Sequence, residues 1–227
     1  MVALFVVGTV VVFFIIEYLY RRSPKHAVAP SRAKAHAVRA DRFLLPRGYF
    51  FSRGHAWVNL LFSGKTRVGV DDFVQKVIGA IDGVSPVAAG TEVKRGDTLF
   101  TLRQGNRTLT VTAPVTGKVL DVNYAVVRNP RLLAEDPYEE GWVVLLEPKN
   151  IAAEIKLLSV AEEAVRWLHQ EGLRFRDFIT ARASQITPAS AGATLLDGGV
   201  PVNGALRYTD EQTWQLFERE FLAGGEK

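Results

Sequence analysis

The run from Thr98 to Thr112 places the tightest constraint on the fold. Thr98-Leu-Phe-Thr-Leu-Arg-Gln104 and Arg107-Thr-Leu-Thr-Val-Thr112 are rich in β-branched and apolar residues, and they flank Gly105-Asn106, a pair suited to a two-residue turn. The segment predicts a tight β-hairpin with its tip at Gly105 and Asn106. Runs of the same character recur from Ala56 to Phe62, Thr66 to Gly69, Lys118 to Val122 and Gly141 to Glu147. One stretch differs. In Asp71 to Gly79, acids open the segment, Phe73, Val77 and Ile78 share a helical face, and glycine closes it. The middle of the chain is therefore expected to be mainly β with one short inserted helix.

The 227 residues contain no cysteine, which excludes disulfides, thiolate metal sites, iron–sulfur ligation and cysteine nucleophiles. The four histidines, His26, His36, His55 and His169, stand far apart, without the short spacing of a metal site. No phosphate-cradling loop, dinucleotide fingerprint or nucleophile elbow is found. No catalytic residue, metal or cofactor is assigned, and the chain reads as a non-enzyme.

At the N-terminus, Met1 to Ile16 carries no charge, and Glu17, Tyr18, Leu19 and Tyr20 follow before Arg21-Arg22. About 20 residues at roughly 1.5 Å each span about 30 Å of hydrocarbon, so residues 1–20 predict one transmembrane helix. A cleaved signal peptide wants its basic residues before the apolar run, and here they come after it. Nine Lys and Arg lie between Arg21 and Arg53 against one acid, Asp41. By the positive-inside rule this single-pass arrangement puts the N-terminus outside and the folded domain on the cytoplasmic side. Residues 21–45 read as a basic juxtamembrane linker near anionic lipid, and the lack of aromatic residues before Phe43 argues against nucleic-acid binding.

The order of motifs carries a resemblance. Ser52-Arg-Gly-His-Ala-Trp-Val58, Val68-Gly-Val-Asp-Asp-Phe-Val-Gln75, Gly90-Thr-Glu-Val-Lys-Arg-Gly96, Ala113-Pro-Val-Thr-Gly117, Asn129-Pro130 and Glu135-Asp-Pro-Tyr-Glu-Glu-Gly-Trp142 together resemble the H protein of the glycine cleavage system. The resemblance implies a lipoyl-like barrel-sandwich hybrid with a short inserted helix and C-terminal helices, over residues 46–182. In that family the hairpin tip holds a lysine whose side chain carries lipoate. Counted back from Ala113-Pro114, that position is Asn106 here, and no lysine lies between Lys94 and Lys118. Arg103, Gln104 and Arg107 make the tip basic where the family is acidic or neutral, and His55-Ala56-Trp57 replaces the usual His-Glu-Trp. The fold carries over and the chemistry does not.

Leu157, Leu158, Ala161, Val165 and Leu168 recur at helical spacing, and Gly172 is expected to end that helix. Residues 183–227 are then an addition to the family fold, a Gly/Pro-rich connector followed by a short amphipathic helix. Thr209-x-x-Gln212 offers a capping box for it, and Trp214, Phe217 and Phe221 share one face. That stripe either packs back on the domain or docks on another subunit.

The expected function is a non-catalytic membrane-anchored adaptor or accessory subunit that holds a cytoplasm-facing multi-subunit complex, a redox complex among the candidates, through protein contacts. Its candidate docking residues are Arg103, Gln104, Gly105, Asn106 and Arg107 at the hairpin tip, Asp136, Pro137, Tyr138 and Trp142 in the neighbouring loop, and Trp214, Phe217 and Phe221 in the tail. Two alternatives stay open: a lipoyl or biotinyl carrier modified on Lys94 or Lys118, each in a predicted turn, and a transport adaptor of the membrane-fusion type.

Overall fold

Antiparallel pairing of short, apolar strands organises the domain. The computed structural model describes residues 38–40, 43–183 and 203–223. The predicted transmembrane helix at residues 1–20, most of the basic flank and the connector at residues 184–202 lie outside the described residues. Among the described residues no helix is long and apolar enough to cross a membrane.

A seven-stranded sheet runs in the order β12-β3-β4-β5-β11-β10-β7, with β3 Tyr49–Phe51, β4 Ala56–Leu60, β5 Thr66–Val70, β7 Glu92–Val93, β10 Gly117–Val122, β11 Val144–Pro148 and β12 Ser159–Val160. A three-stranded sheet, β6-β8-β9, is built from β6 Gly83–Pro86, β8 Thr98–Gln104 and β9 Arg107–Thr112. Trp57, Val68, Val119 and Leu146 of the first sheet and Leu99, Phe100, Leu102, Leu109 and Val111 of the second are buried in one core. Each such side chain contributes roughly 1.5–3 kcal/mol on burial. The architecture is the expected mainly β sandwich.

The inserted helix, α1, spans Asp72–Ile78. Asp71 caps it by accepting the Val74 N–H at 3.1 Å, and the Gly79 N–H closes it on the Gln75 carbonyl. Short helices follow at Tyr124–Arg128 (α2), Leu132–Glu135 (α3) and Ile151–Glu154 (α4).

Three sequence expectations need correction. The basic linker was expected to run as a tether to residue 45, but β1 Val38–Ala40 and β2 Phe43–Leu45 form an antiparallel pair. The Asp72 carboxylate accepts the Leu44 N–H at 2.9 Å and so fastens this pair to α1. The C-terminal helix α5, Ala161–Ala183, runs straight through Gly172. A Cβ at Gly172 would sit 3.1 Å from the Phe43 ring, so this glycine serves close packing within the helix and not its termination.

The third correction concerns the tail. Helix α6, Glu211–Phe217, continues as a π-helical turn over Glu218–Leu222. Its cap is Asp210, whose carboxylate accepts the Thr213 N–H at 2.7 Å. Thr209 instead donates its hydroxyl to the Leu206 carbonyl, so no capping box forms with Gln212. Asp210 has the extended backbone an N-cap requires, at φ −76° and ψ 171°.

Candidate functional site

At the β8–β9 hairpin, Gly105 adopts φ 58° as the first central residue of the turn. A non-glycine side chain would be strained there, which is the glycine-first pattern of a type II′ hairpin. Gly105 and Asn106 are exposed at the tip. The register is in place down the hairpin, with Gln104 opposite Arg107 and Arg103 opposite Thr108.

The residues flanking the tip are tied down on both sides. The Gln104 side-chain amide donates to the Ile78 and Ala80 carbonyls, at 2.9 and 2.6 Å, so it binds the hairpin to the end of α1. Gly105 N–H donates to the Asp82 carboxylate at 2.7 Å, and Arg103 donates to the Asp82 carbonyl at 3.3 Å. On the other side, Arg107 donates to the Thr209 carbonyl at 2.8 Å, lies 3.3 Å from the Glu211 carboxylate and stacks its guanidinium 5.4 Å from the Trp214 ring centroid.

The tail closes the sheet edge beside the tip. Strand β9 is the outer strand of its sheet, so its outward N–H and C=O groups need partners. Thr110 N–H donates to the Glu218 carboxylate at 2.7 Å, and the Thr108 carbonyl accepts the Trp214 indole N–H at 2.9 Å. Behind them Phe217 stacks on Phe221 at 4.9 Å, and both rings meet Phe73 of α1 and Phe175 of α5. Trp214, Phe217 and Phe221 are therefore core residues. Their apolar stripe is consumed within the chain, which removes these three from the candidate docking residues. A nearly bare stretch of about 12 helical residues gains its stability from this burial.

The Asp136 to Trp142 loop is likewise an internal brace for most of its length. The Pro137 carbonyl accepts the Trp57 indole N–H at 3.1 Å, and the Tyr138 carbonyl accepts the Tyr49 hydroxyl at 2.8 Å. The Tyr138 hydroxyl donates to the Leu44 carbonyl and accepts the Asp72 N–H at 3.2 Å. Pro137 and Tyr138 are buried and cannot meet a partner, because their polar groups are already spent on these bonds. Asp136 and Trp142 are half-buried, and the Arg67 guanidinium covers the Trp142 ring at 5.4 Å. Burial, with the Glu139 charge nearby, pushes the Tyr49 hydroxyl up to about 12. Burial, with Asp71 close by, pushes Tyr138 well above the ordinary tyrosine range.

One buried cluster was not singled out in the sequence. His55 lies in the core at φ 61°, with Nδ1 2.7 Å from the Asp71 carboxylate and its ring stacked 4.5 Å from Phe73 and tilted 4.9 Å from Trp167. Asp71 thus serves two elements, capping α1 and holding His55. Among the described residues no three His, Cys, Asp or Glu side chains converge as a metal site. The substitute attachment points separate: Lys118 lies within β10, opposite Glu147 and Glu92, and not in a turn as expected, whereas Lys94 is exposed in a turn.

A two-sheet sandwich with an inserted helix, a projecting hairpin and C-terminal helices is the architecture of lipoyl-type carrier domains. The family model described as glycine cleavage H-protein matches residues 49–171. A probable glycine cleavage system H protein of Thermococcus gammatolerans is 34% identical over 131 residues, covering 58% of this chain and 97% of that protein. The glycine cleavage system H protein of Coprothermobacter proteolyticus is 36% identical over 115 residues, covering 51% and 91% respectively. The crystal structure of a glycine cleavage system H protein from Mycobacterium marinum aligns at a TM-score of 0.47 and 24% identity, covering 57% of this chain and 100% of that one. The chain belongs to the glycine cleavage H-protein family. The tail that clamps the hairpin lies beyond the matched residues.

Proposed function

We propose that this chain is a non-catalytic, membrane-anchored accessory subunit in which the H-protein hairpin has become a fixed protein-docking surface and no longer carries a lipoyl arm. The observation that carries this reading is the tip itself. Asn106 stands there, an amide cannot accept lipoate as a lysine amine does, and no lysine lies between Lys94 and Lys118. A swinging carrier also needs a hairpin that other proteins can grip from its sides. Here Arg107 and the β9 edge are occupied by Thr209, Glu211, Trp214 and Glu218 of the same chain.

The surface left for partners is the exposed end of the hairpin, Arg103, Gly105 and Asn106, with Gln104 and Arg107 shaping it from below. The apolar run at residues 1–20 and its basic flank support lipid contact, with the domain on the cytoplasmic side. Partners are protein subunits and membrane lipid, with no nucleic acid. The family match favours the carrier alternative in general terms, but Lys118 lies in a strand opposite Glu147 and Glu92, and Lys94 is remote from the hairpin turn in sequence.

Purification of the tagged full chain from native membranes in mild detergent tests the reading. Protein subunits in fixed ratio to the bait are expected, and their recovery is expected to fall when Arg103 and Asn106 are replaced by glutamate. Recovery from the soluble fraction alone, or partners unaffected by those replacements, contradicts it. Protease treatment of sealed vesicles reads the topology separately: cleavage of the domain from the external face overturns the cytoplasmic placement.

A further inference from the structure

The turn between β4 and β5 carries apolar residues that its backbone does not ask for. The Gly64 N–H donates to the Leu61 carbonyl and the Leu61 N–H to the Lys65 carbonyl, each at 2.9 Å, with Gly64 at φ 79°. This is the pattern of a three-residue hairpin loop closed by a glycine bulge. Such a loop needs glycine at its last position but no aromatic at its first, where polar residues serve and stay hydrated. Phe62 nevertheless stands there and is fully exposed, with Leu60 exposed and Leu61 half-buried beside it. Scattered apolar side chains on a surface need no explanation, but three consecutive ones at a hairpin tip, none of them buried, mark a contact.

The charge beside the tip has one sign. Between Phe43 and Val70 the chain holds Arg47, Arg53, Lys65 and Arg67 and no acid. Arg53 lies beyond the far end of β3, where it meets Glu163 at 3.6 Å. Lys65 follows the turn directly, and Arg47 lies at the same end of the sheet, because Tyr49 two residues on pairs with Asn59. The neighbouring acids are engaged elsewhere: Glu147 stands opposite Lys118, and Glu92 pairs with Lys149 at 2.8 Å. An apolar point flanked by cations matches a bilayer of anionic lipid, which offers phosphates at its rim and hydrocarbon beneath them.

The chain also keeps the tip within reach of such a surface. Residues 21–37 join the apolar run to Val38 and span at most about 60 Å when fully extended. Val38 pairs with Leu45, and β2 leads from there to Tyr49 at the tip end of β3. The β8–β9 tip lies toward the opposite end, since it is bonded to Ile78 and Ala80 after α1, and α1 follows β5 at Val70, away from Phe62.

We infer that Leu61 and Phe62 form a second lipid contact, in which the β4–β5 tip enters the headgroup region of an anionic bilayer while Arg47 and Lys65 meet its phosphates. The inference rests on the membrane-anchored reading and adds an orientation to it. The β4–β5 end of the seven-stranded sheet faces the bilayer, and the β8–β9 tip points toward the partners.

The chain contains no cysteine, so a nitroxide label can be placed at single positions of the full chain. Ser63→Cys puts it beside Phe62, and Asn106→Cys puts it on the other tip. The labelled chains are reconstituted from detergent into phosphatidylcholine vesicles with and without phosphatidylglycerol, and electron paramagnetic resonance reads collision of the label with oxygen and with a water-soluble nickel chelate. With phosphatidylglycerol the label at 63 is expected to gain oxygen contact and lose nickel contact, while the label at 106 stays aqueous. Phe62→Asp, at a fully exposed position, is expected to return the label at 63 to water without moving the unfolding midpoint. Arg47→Glu combined with Lys65→Glu is expected to weaken the shift. Resistance to alkaline carbonate extraction reads the N-terminal anchor separately. An extraction-resistant chain whose two labels respond alike, or whose shift at 63 survives Phe62→Asp, overturns the inference and leaves the anchor standing. A chain that carbonate removes overturns the anchored reading and the inference with it.

Discussion

Two loops that the sequence offers as docking surfaces are held in opposite ways here. The Asp136 to Trp142 loop is braced from inside: Trp57, Tyr49, Leu44 and Asp72 all bond to it, and Pro137, Tyr138 and Gly141 are buried. The hairpin tip at Gly105 and Asn106 is exposed, and it is braced from outside by Asp82 and by a tail that the family match does not include. The difference separates what the fold requires from what this chain has added. A loop whose polar groups are spent internally is a structural part. A tip restrained by surface contacts from an extra segment is open to a new use.

Breaking the inner brace has the largest expected effect. Trp57→Ala removes a fully buried indole and its bond to the Pro137 carbonyl, and should cost about 3–5 kcal/mol in denaturant unfolding. Next comes Tyr138→Phe, which leaves the Leu44 carbonyl and the Asp72 N–H without their partner. A loss of about 1–3 kcal/mol is expected, with the β1–β2 pair gaining hydrogen exchange first.

The inner brace should also betray itself at high pH. Tyr49 is neutral in the fold up to about 12, whereas an unfolded tyrosine ionises near 10. Its contribution is therefore complete below about pH 10 and is lost as pH rises through 12, because deprotonation favours the unfolded chain. Thermal unfolding followed between these values should show falling stability, and Tyr49→Phe should flatten that fall.

The outer brace is weaker. Arg107→Ala removes a partly exposed pair with Glu211, a bond to Thr209 and a stacking contact with Trp214, and should cost less than about 1 kcal/mol. Its effect should shrink further as salt is raised. A larger loss would mean that the tail clamp matters to the whole fold, and the contrast between the two loops would fail.

Much of this was legible in the sequence. Alternation and turn residues located the β8–β9 hairpin, and Asp71 with Gly79 located α1, because those signals are local. Strands β6 and β12 are not visible in the local pattern, being short and held by partners distant in sequence. Gly172 misled for a related reason: its meaning depends on the Phe43 ring, which no local pattern reveals. The aromatic stripe of the tail was visible, but which surface it covers is fixed by Phe73 and Phe175 and by the open edge of β9. Of the site, Asn106 at the tip of the hairpin was legible directly, whereas the unpaired amide of Gln75 and the two-sided role of Asp71 exist only after folding. Tyr138 looked like a surface loop residue because its polar neighbours in sequence are exposed and its real partners are not among them.

The central claim, that the hairpin carries no arm, is tested most directly by the intact mass of the full chain isolated from its native source, followed by peptide mapping across residues 94–118. The account predicts the mass of the polypeptide without a lipoyl or biotinyl group, and an unaltered Asn106 peptide. A population heavier by such a group, mapped to Lys94, Lys118 or any other lysine, would contradict it and return the chain to the carriers.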